Sequence, residues 1–184
     1  FNLNFKDLDK NINKNTKVII INSPNNPTGK IFSKIDFLKI YKLIEGKNIF
    51  IISDEIYEKL ILKKKHFSPA SIKKMSEKII TINGFSKTFA MTGWRIGYLV
   101  ANDEIIKKIT SISMHINTNV NTFIQKGLID AYNLNKNFIE NFKNTLIKKS
   151  EYLDIIINKK YCFNLVLPDG GFFAFLNIEK TKLS

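Results

Sequence analysis

The sequence predicts an α/β fold, and three observations predict it. Short apolar runs recur at 18–21, 48–53, 78–83 and 98–101. Segments with apolar residues at helical spacing lie between and after them, and clusters of Asn, Ser, Pro and Gly break the pattern. Such alternation is how successive strands and helices bury one mostly parallel sheet.

The elements follow in order. Val18-Ile19-Ile20-Ile21 is β-branched and stops at Asn22-Ser23-Pro24, so a strand spans 18–21. Ser33 supplies an N-cap for a helix to about residue 44, with Ile35, Leu38, Tyr41 and Lys42 near helical spacing. Gly46 and Asn48 then allow a turn into 48–53, whose Ile49-Phe50-Ile51-Ile52 is apolar on both faces, as a central parallel strand requires. A short helix is expected at 71–76, a third strand at 78–83 and a fourth at 98–101. Asn102-Asp103 caps a helix to about residue 114. Longer helices are expected at 121–132 and 137–158, separated by Asn133-Leu134-Asn135. Two apolar runs, 163–167 and 172–176, flank the turn signal Pro168-Asp169-Gly170-Gly171.

The bulk numbers narrow the classes of function. With 184 residues, 44% of them hydrophobic, the chain is large enough to bury one sizeable core. It begins at Phe1 rather than Met and ends soon after a strand-like run, so it is read as the middle of a longer protein. The net charge of +13 comes from scattered lysines, with only short clusters such as Lys63-Lys64-Lys65 and Lys148-Lys149. Without an Arg-rich stripe or a nucleic-acid module, no nucleic-acid partner is expected. A positive surface suits attraction of a dicarboxylate or a phosphorylated cofactor. The single cysteine, Cys162, excludes an internal disulfide framework and fits a reducing, cytoplasmic setting. In Tyr-Cys-Phe it reads as a small buried hydrophobe. His66 and His115 form no metal-ligand spacing with a cysteine or carboxylate, so no metal is expected. No apolar run approaches the roughly 20 residues of a membrane span.

Three segments carry candidate chemistry. They are Asn22-Ser23-Pro24-Asn25-Asn26-Pro27-Thr28-Gly29-Lys30, then Ser53-Asp54-Glu55-Ile56-Tyr57-Glu58, then Asn83-Gly84-Phe85-Ser86-Lys87-Thr88-Phe89-Ala90-Met91-Thr92-Gly93-Trp94-Arg95-Ile96-Gly97. Taken singly, each key residue has a plain alternative. Lys87 reads as a solvated charge, Asp54 as a cap or turn carboxylate, Tyr57 as a packed aromatic and Arg95 as a structural ion-pair partner. Asn26 reads as part of a turn. Thr28-Gly29-Lys30 is not a P-loop, because Ile31 stands where a hydroxyl should bind magnesium.

In this order and at this spacing, the three segments resemble the class I/II aminotransferases of the pyridoxal-phosphate fold-type-I superfamily. The resemblance covers roughly residues 18–175, and the wording around Lys87 is most similar to bacterial-type aspartate aminotransferases. It implies that residues 1–136 belong to a large, mostly parallel α/β domain that binds the cofactor. Residues 137–184 would then hold an interdomain helix and the start of a smaller α+β domain. Lys87 is implied as the catalytic lysine, which forms a Schiff base with pyridoxal 5′-phosphate and later shuttles a proton. The family's Asp-x-x-Tyr pattern selects Asp54 over Glu55 and Glu58 as partner of the pyridine nitrogen. Tyr57 and Asn26 are implied as donors to the ring oxygen, and Ser86 and Arg95 as phosphate ligands. Gly84 stands where many relatives carry a serine, so one hydroxyl contact is absent or replaced. Asn26, Asp54 and Lys87 all fall at or just past the C-terminal ends of expected strands, the edge where open α/β sheets bind ligands.

The implied reaction passes an amino group between an amino acid, aspartate by resemblance, and a 2-oxo acid, 2-oxoglutarate. The implied assembly is a homodimer. The aromatic that stacks on the cofactor is expected before Phe1, and the arginine that grips the substrate carboxylate after Ser184. Three alternatives stay open: a carbon–sulfur lyase or an aminocyclopropane-carboxylate synthase on the same cofactor, an inactive relic, or a basic binding module.

Overall fold

The computed structural model describes residues 2–134, 136–160 and 163–181. The Cys162 reading and Asn135 lie outside the described residues; Asn133 and Leu134 of the expected separator are helical instead.

Four strands form one sheet in chain order: β1 (Val18–Asn22), β2 (Phe50–Asp54), β3 (Ile79–Gly84) and β4 (Gly97–Val100). The first three are parallel and β4 runs antiparallel to β3. β2 therefore has a partner on both edges, as its doubly apolar run predicts. Asn22 pairs with Asp54, and Asp54 with Ile82, so the strands end level with one another.

Between β1 and β2 lies α2 (Lys34–Ile44). Its start is a capping box: Asp36 N donates to Ser33 Oγ at 3.2 Å and Ser33 N donates to Asp36 Oδ2 at 2.8 Å. Phe37, Ile40 and Ile44 are fully buried on one face of this helix. They pack with Ile21, Ile51 and Ile79, one from each parallel strand, and with Met75. Ile51 and Ile79 are in register and Ile21 lies two residues beyond their partner Ile19, so all three point to one face of the sheet and make a floor that a helix face can cover.

The structure corrects the expected helix at 71–76. Pro69–Ser71 and Ser76–Lys78 each form a single 3-10 turn instead. Ile72 between them is extended (φ −89°, ψ 105°), which ends the first turn and lets Met75 enter the core fully buried. A short helix, α1 (Phe5–Asn11), escaped the sequence reading. Asn4 caps it, accepting from Lys6 N and Asp7 N, and Leu3, Phe5 and Leu8 pack against the core edge.

The later helices are α3 (Asp103–Ile116), capped by Asn102, then α4 (Thr122–Leu134) and α5 (Lys136–Lys160). Among the described residues no helix is long and apolar enough to cross a membrane. The two final apolar runs pair only over β5 (Asn164–Leu165) and β6 (Leu176–Asn177). The ladder is short because the residues between leave it to dock elsewhere: Gly170 bridges Ile61, and Gly171 N donates to Leu60 O at 2.7 Å.

Candidate active site

The C-terminal ends of β1, β2 and β3 open onto one edge, and three loops meet there. The first leaves β1 at Asn22. Asn22 Nδ2 donates to the Asp54 carbonyl at 3.2 Å, and its Oδ1 accepts from Asn26 N at 2.6 Å. Ser23 N donates to the same Asp54 carbonyl at 3.0 Å. The loop contains two cis peptide bonds, Ser23–Pro24 and Asn26–Pro27. Asn25 closes it, accepting from Thr28 Oγ1 at 2.7 Å and, through its carbonyl, from Gly29 N at 2.8 Å. These bonds hold Asn26 as an exposed side chain at the strand end.

The second loop leaves β2 at Asp54. Asp54 is half-buried, and its Oδ1 accepts from Ile56 N at 3.2 Å. Glu55 turns the other way and is buried, 2% exposed. It accepts from Ser53 Oγ and Ser68 Oγ, both at 2.9 Å, and lies 2.8 Å from His66 Nε2. Glu58 pairs with Lys59 at 3.4 Å. Of the three competing carboxylates, Asp54 is therefore the one beside Asn26 and Tyr57. Glu55, Glu58 and His66 bring ligand atoms within 4.8 Å of one another, a proximity that spacing alone did not reveal. Both Glu55 oxygens are engaged, while His66 Nδ1 is buried without a hydrogen-bond partner among the described residues.

Tyr57 is 4% exposed. Burial pushes its phenol pKa up, a hydrogen bond with the Asn26 side chain pulls it down, and the charge of Asp54 raises it further. Asn26, Asp54 and Tyr57 thus converge, and the tyrosine is held as a neutral hydroxyl able to donate.

The third loop follows β3. Phe89 N donates to Phe85 O and Met91 N to Ser86 O, each at 3.0 Å, so Ser86 and Lys87 ride on a tight turn, both half-buried. Lys87 Nζ lies 5.9 Å from the centroid of the Phe172 ring. Arg95 has a left-handed backbone (φ 52°) and donates from Nη1 to Thr92 O at 3.0 Å. It is exposed, and it leads directly into β4. Gly97 of β4 pairs with Gly84 of β3, and a Cβ on Gly97 would lie 2.9 Å from Asn83 O. Only glycine permits that approach, which pairs the start of β4 with the end of β3.

A fourth segment, unassigned by sequence, completes the edge. The turn 168–171 is bound on two sides. Asp169 N and Gly170 N donate to Gly29 O, each at 3.0 Å, while Leu62 N and Lys63 N donate to Asp169 O at 2.9 and 3.0 Å. Lys64 Nζ pairs with Asp169 Oδ2 at 2.9 Å. This clamp delivers Phe172 and Phe173 to the ring of Tyr57, with centroids 5.5 and 5.3 Å away. In sequence these residues show only as a turn signal and an apolar run. Asn22 was also missed, and its only signal was a polar side chain closing an apolar strand.

The donor set has a definite chemistry: a carboxylate for a ring nitrogen, two donors for a ring oxygen, an amine for an aldehyde, and a hydroxyl and a guanidinium for a phosphate. It fits a phosphorylated pyridine aldehyde.

Comparison with known proteins agrees with this reading. The chain is 37% identical over 187 residues to a probable aspartate aminotransferase of Methanocaldococcus jannaschii, covering 98% of this chain and 48% of that protein. The aromatic aminotransferase structure from Pyrococcus horikoshii matches with a TM-score of 0.93 at 36% identity, over 100% of this chain and 50% of that one. The Thermus thermophilus aspartate aminotransferase solved with maleate matches with a TM-score of 0.90 at 30% identity, over 96% of this chain and 46% of that one. The architecture is that of fold type I of the pyridoxal-phosphate-dependent enzymes. The model described as aminotransferase class I and II matches residues 1–184, and the chain belongs to that family. It spans about half the length of the curated relatives it matches.

Proposed function

We propose that the whole protein is a pyridoxal-phosphate-dependent aminotransferase that moves an amino group from aspartate to 2-oxoglutarate. The observation that carries this reading is the meeting of Asn26, Asp54 and Tyr57 at one sheet edge, with Lys87 linked to Tyr57 through the ring of Phe172. When bound, the cofactor supplies an aldehyde that takes up amines and a protonated ring that draws electrons from the substrate Cα. Asp54 keeps the proton on the ring nitrogen. Tyr57 and Asn26 hydrogen-bond the ring oxygen. Lys87 Nζ would hold the cofactor between turnovers and, once free, would serve as the acid–base group for the substrate Cα proton. Ser86 and Arg95 bind the phosphate, Arg95 by turning its guanidinium from Thr92 O.

Aspartate is favoured by the relatives named for it, and maleate in the Thermus structure is a dicarboxylate like aspartate. The likeness to an aromatic aminotransferase favours a second donor class, phenylalanine or tyrosine. The domain division at about residue 136 and a homodimeric assembly belong to the same proposal, and their support is the family resemblance.

The test is borohydride reduction of the protein with pyridoxal phosphate, followed by peptide mapping and an amino-transfer assay. A dominant mark on Lys87 that Lys87→Ala abolishes, with 2-oxoglutarate-dependent loss of aspartate, supports the proposal. Labels spread over many lysines sink the cofactor site. Release of ammonia and pyruvate without an acceptor makes the protein a lyase. A higher kcat/KM for phenylalanine than for aspartate moves it to the aromatic class.

A further inference from the structure

We infer that Phe172 is a positioning residue for Lys87, an inference that rests on the proposed function and names a residue that neither the sequence motifs nor the relatives assign. Lys87 Nζ sits 5.9 Å from the centroid of the Phe172 ring, within the range at which an ammonium is drawn to an aromatic face. The ring itself is held in place. It meets Tyr57 at 5.5 Å with planes inclined at 80°, and Phe173 at 4.8 Å.

The backbone just before Phe172 is pinned by Gly171 N to Leu60 O at 2.7 Å and by the Asp169–Lys64 ion pair. Phe172 nonetheless remains 41% exposed. The ring packs one side on Tyr57 and Phe173 and leaves another side open, which makes it a fixed platform. Beyond its own packing, it gives the flexible stem of Lys87, half-buried on its tight turn, a surface to lie against. The platform keeps the amine at the edge where Asn26, Asp54 and Tyr57 converge, the residues that would hold the cofactor. The attraction depends on the quadrupole of an aromatic ring, so an aliphatic side chain of similar size does not replace it.

The experiment titrates pyridoxal phosphate into the whole protein as wild type, Phe172→Leu and Phe172→Tyr. Bound cofactor is read from its visible absorbance, the attachment point from borohydride reduction and peptide mapping, and stability from thermal unfolding without cofactor. Phe172→Leu is expected to bind about two- to fivefold more weakly and to lose part of its label from Lys87 to other lysines. Phe172→Tyr, which keeps the ring, is expected to restore both, while the two variants unfold at the same temperature.

Wild-type binding and labelling in Phe172→Leu, or equal impairment in Phe172→Tyr, overturns the positioning role alone. A wild type that shows no preferred label on Lys87 overturns the cofactor reading, and this inference with it.

Discussion

Gly29 and Pro168 approach so closely that a Cβ on Gly29 would lie 2.2 Å from the Pro168 Cβ and 2.8 Å from its Cα. Gly29 also has φ +69°, in the left-handed region. Gly29→Ala therefore combines a backbone cost of about 1–2 kcal/mol with overpacking of about 1–3 kcal/mol. Gly46 is the control, since it has φ +77° and nothing within 4 Å of an added Cβ. Chemical denaturation is expected to show Gly29→Ala clearly less stable than Gly46→Ala. Equal losses would mean that Pro168 does not sit on Gly29.

Asp54→Asn keeps the shape of the strand end and removes its charge. Amino transfer is expected to fall on the order of 100-fold, the scale of losing one well-placed electrostatic contact. The same variant carries an internal check, because the Asp54 charge is one of the groups raising Tyr57. The Tyr57 ionisation, followed by ultraviolet difference spectra, is expected to move down in Asp54→Asn. An unmoved tyrosine would separate the two residues.

Alkaline stability has a defined sign. The folded pKa of Tyr57 is raised above the ordinary phenol value of 10.0, mainly by burial. The folded state therefore keeps its proton after the unfolded chain has lost it. This contribution is fully present below the unfolded pKa and is lost as pH rises from about 10 through the folded value. Tyr98 is raised as well, first by burial and then by Glu58, and adds to the same limb. Unfolding midpoints measured from about pH 8 to about pH 11 should fall less steeply in Tyr57→Phe than in wild type, and less steeply again when Tyr98→Phe is added. Identical slopes in wild type and Tyr57→Phe would contradict the burial of Tyr57; Tyr98, 46% exposed, adds the smaller change.

Glu55 anchors Ser53, Ser68 and His66 beneath the strand that carries Asp54. Glu55→Ala leaves those donors buried and unpaired, at a cost of about 3 kcal/mol. Urea denaturation is expected to show that loss, with Ser68→Ala costing about 1 kcal/mol. A neutral Glu55→Ala would mean that the carboxylate is solvated instead.

Much of the fold was legible because its signals are local. Ser33 and Asp36 mark the start of α2, Asn102 caps α3, and the doubly apolar run before Asp54 identifies a central strand. The 71–76 segment misled because its propensity is helical, whereas the burial of Met75 demands an extended Ile72. Tertiary burial outweighs local preference by more than the few tenths of a kcal/mol per residue that propensity supplies.

The residue types at the site were equally legible, since aldehyde, ring-nitrogen and phosphate chemistry each demand particular groups in a particular order. By itself, then, the sequence determined the α/β class and the succession of the four strands, and it offered Lys87, Asp54, Tyr57, Asn26, Ser86 and Arg95 as candidates. Only the tertiary structure decided where Glu55 is spent and that Phe172 arrives next to Lys87. Those outcomes depend on contacts between segments far apart in the chain, such as Gly29 with Asp169 and Tyr57 with Phe172. Local periodicity and capping carry no information about such pairs, because their partners are chosen by how loops close over the sheet edge.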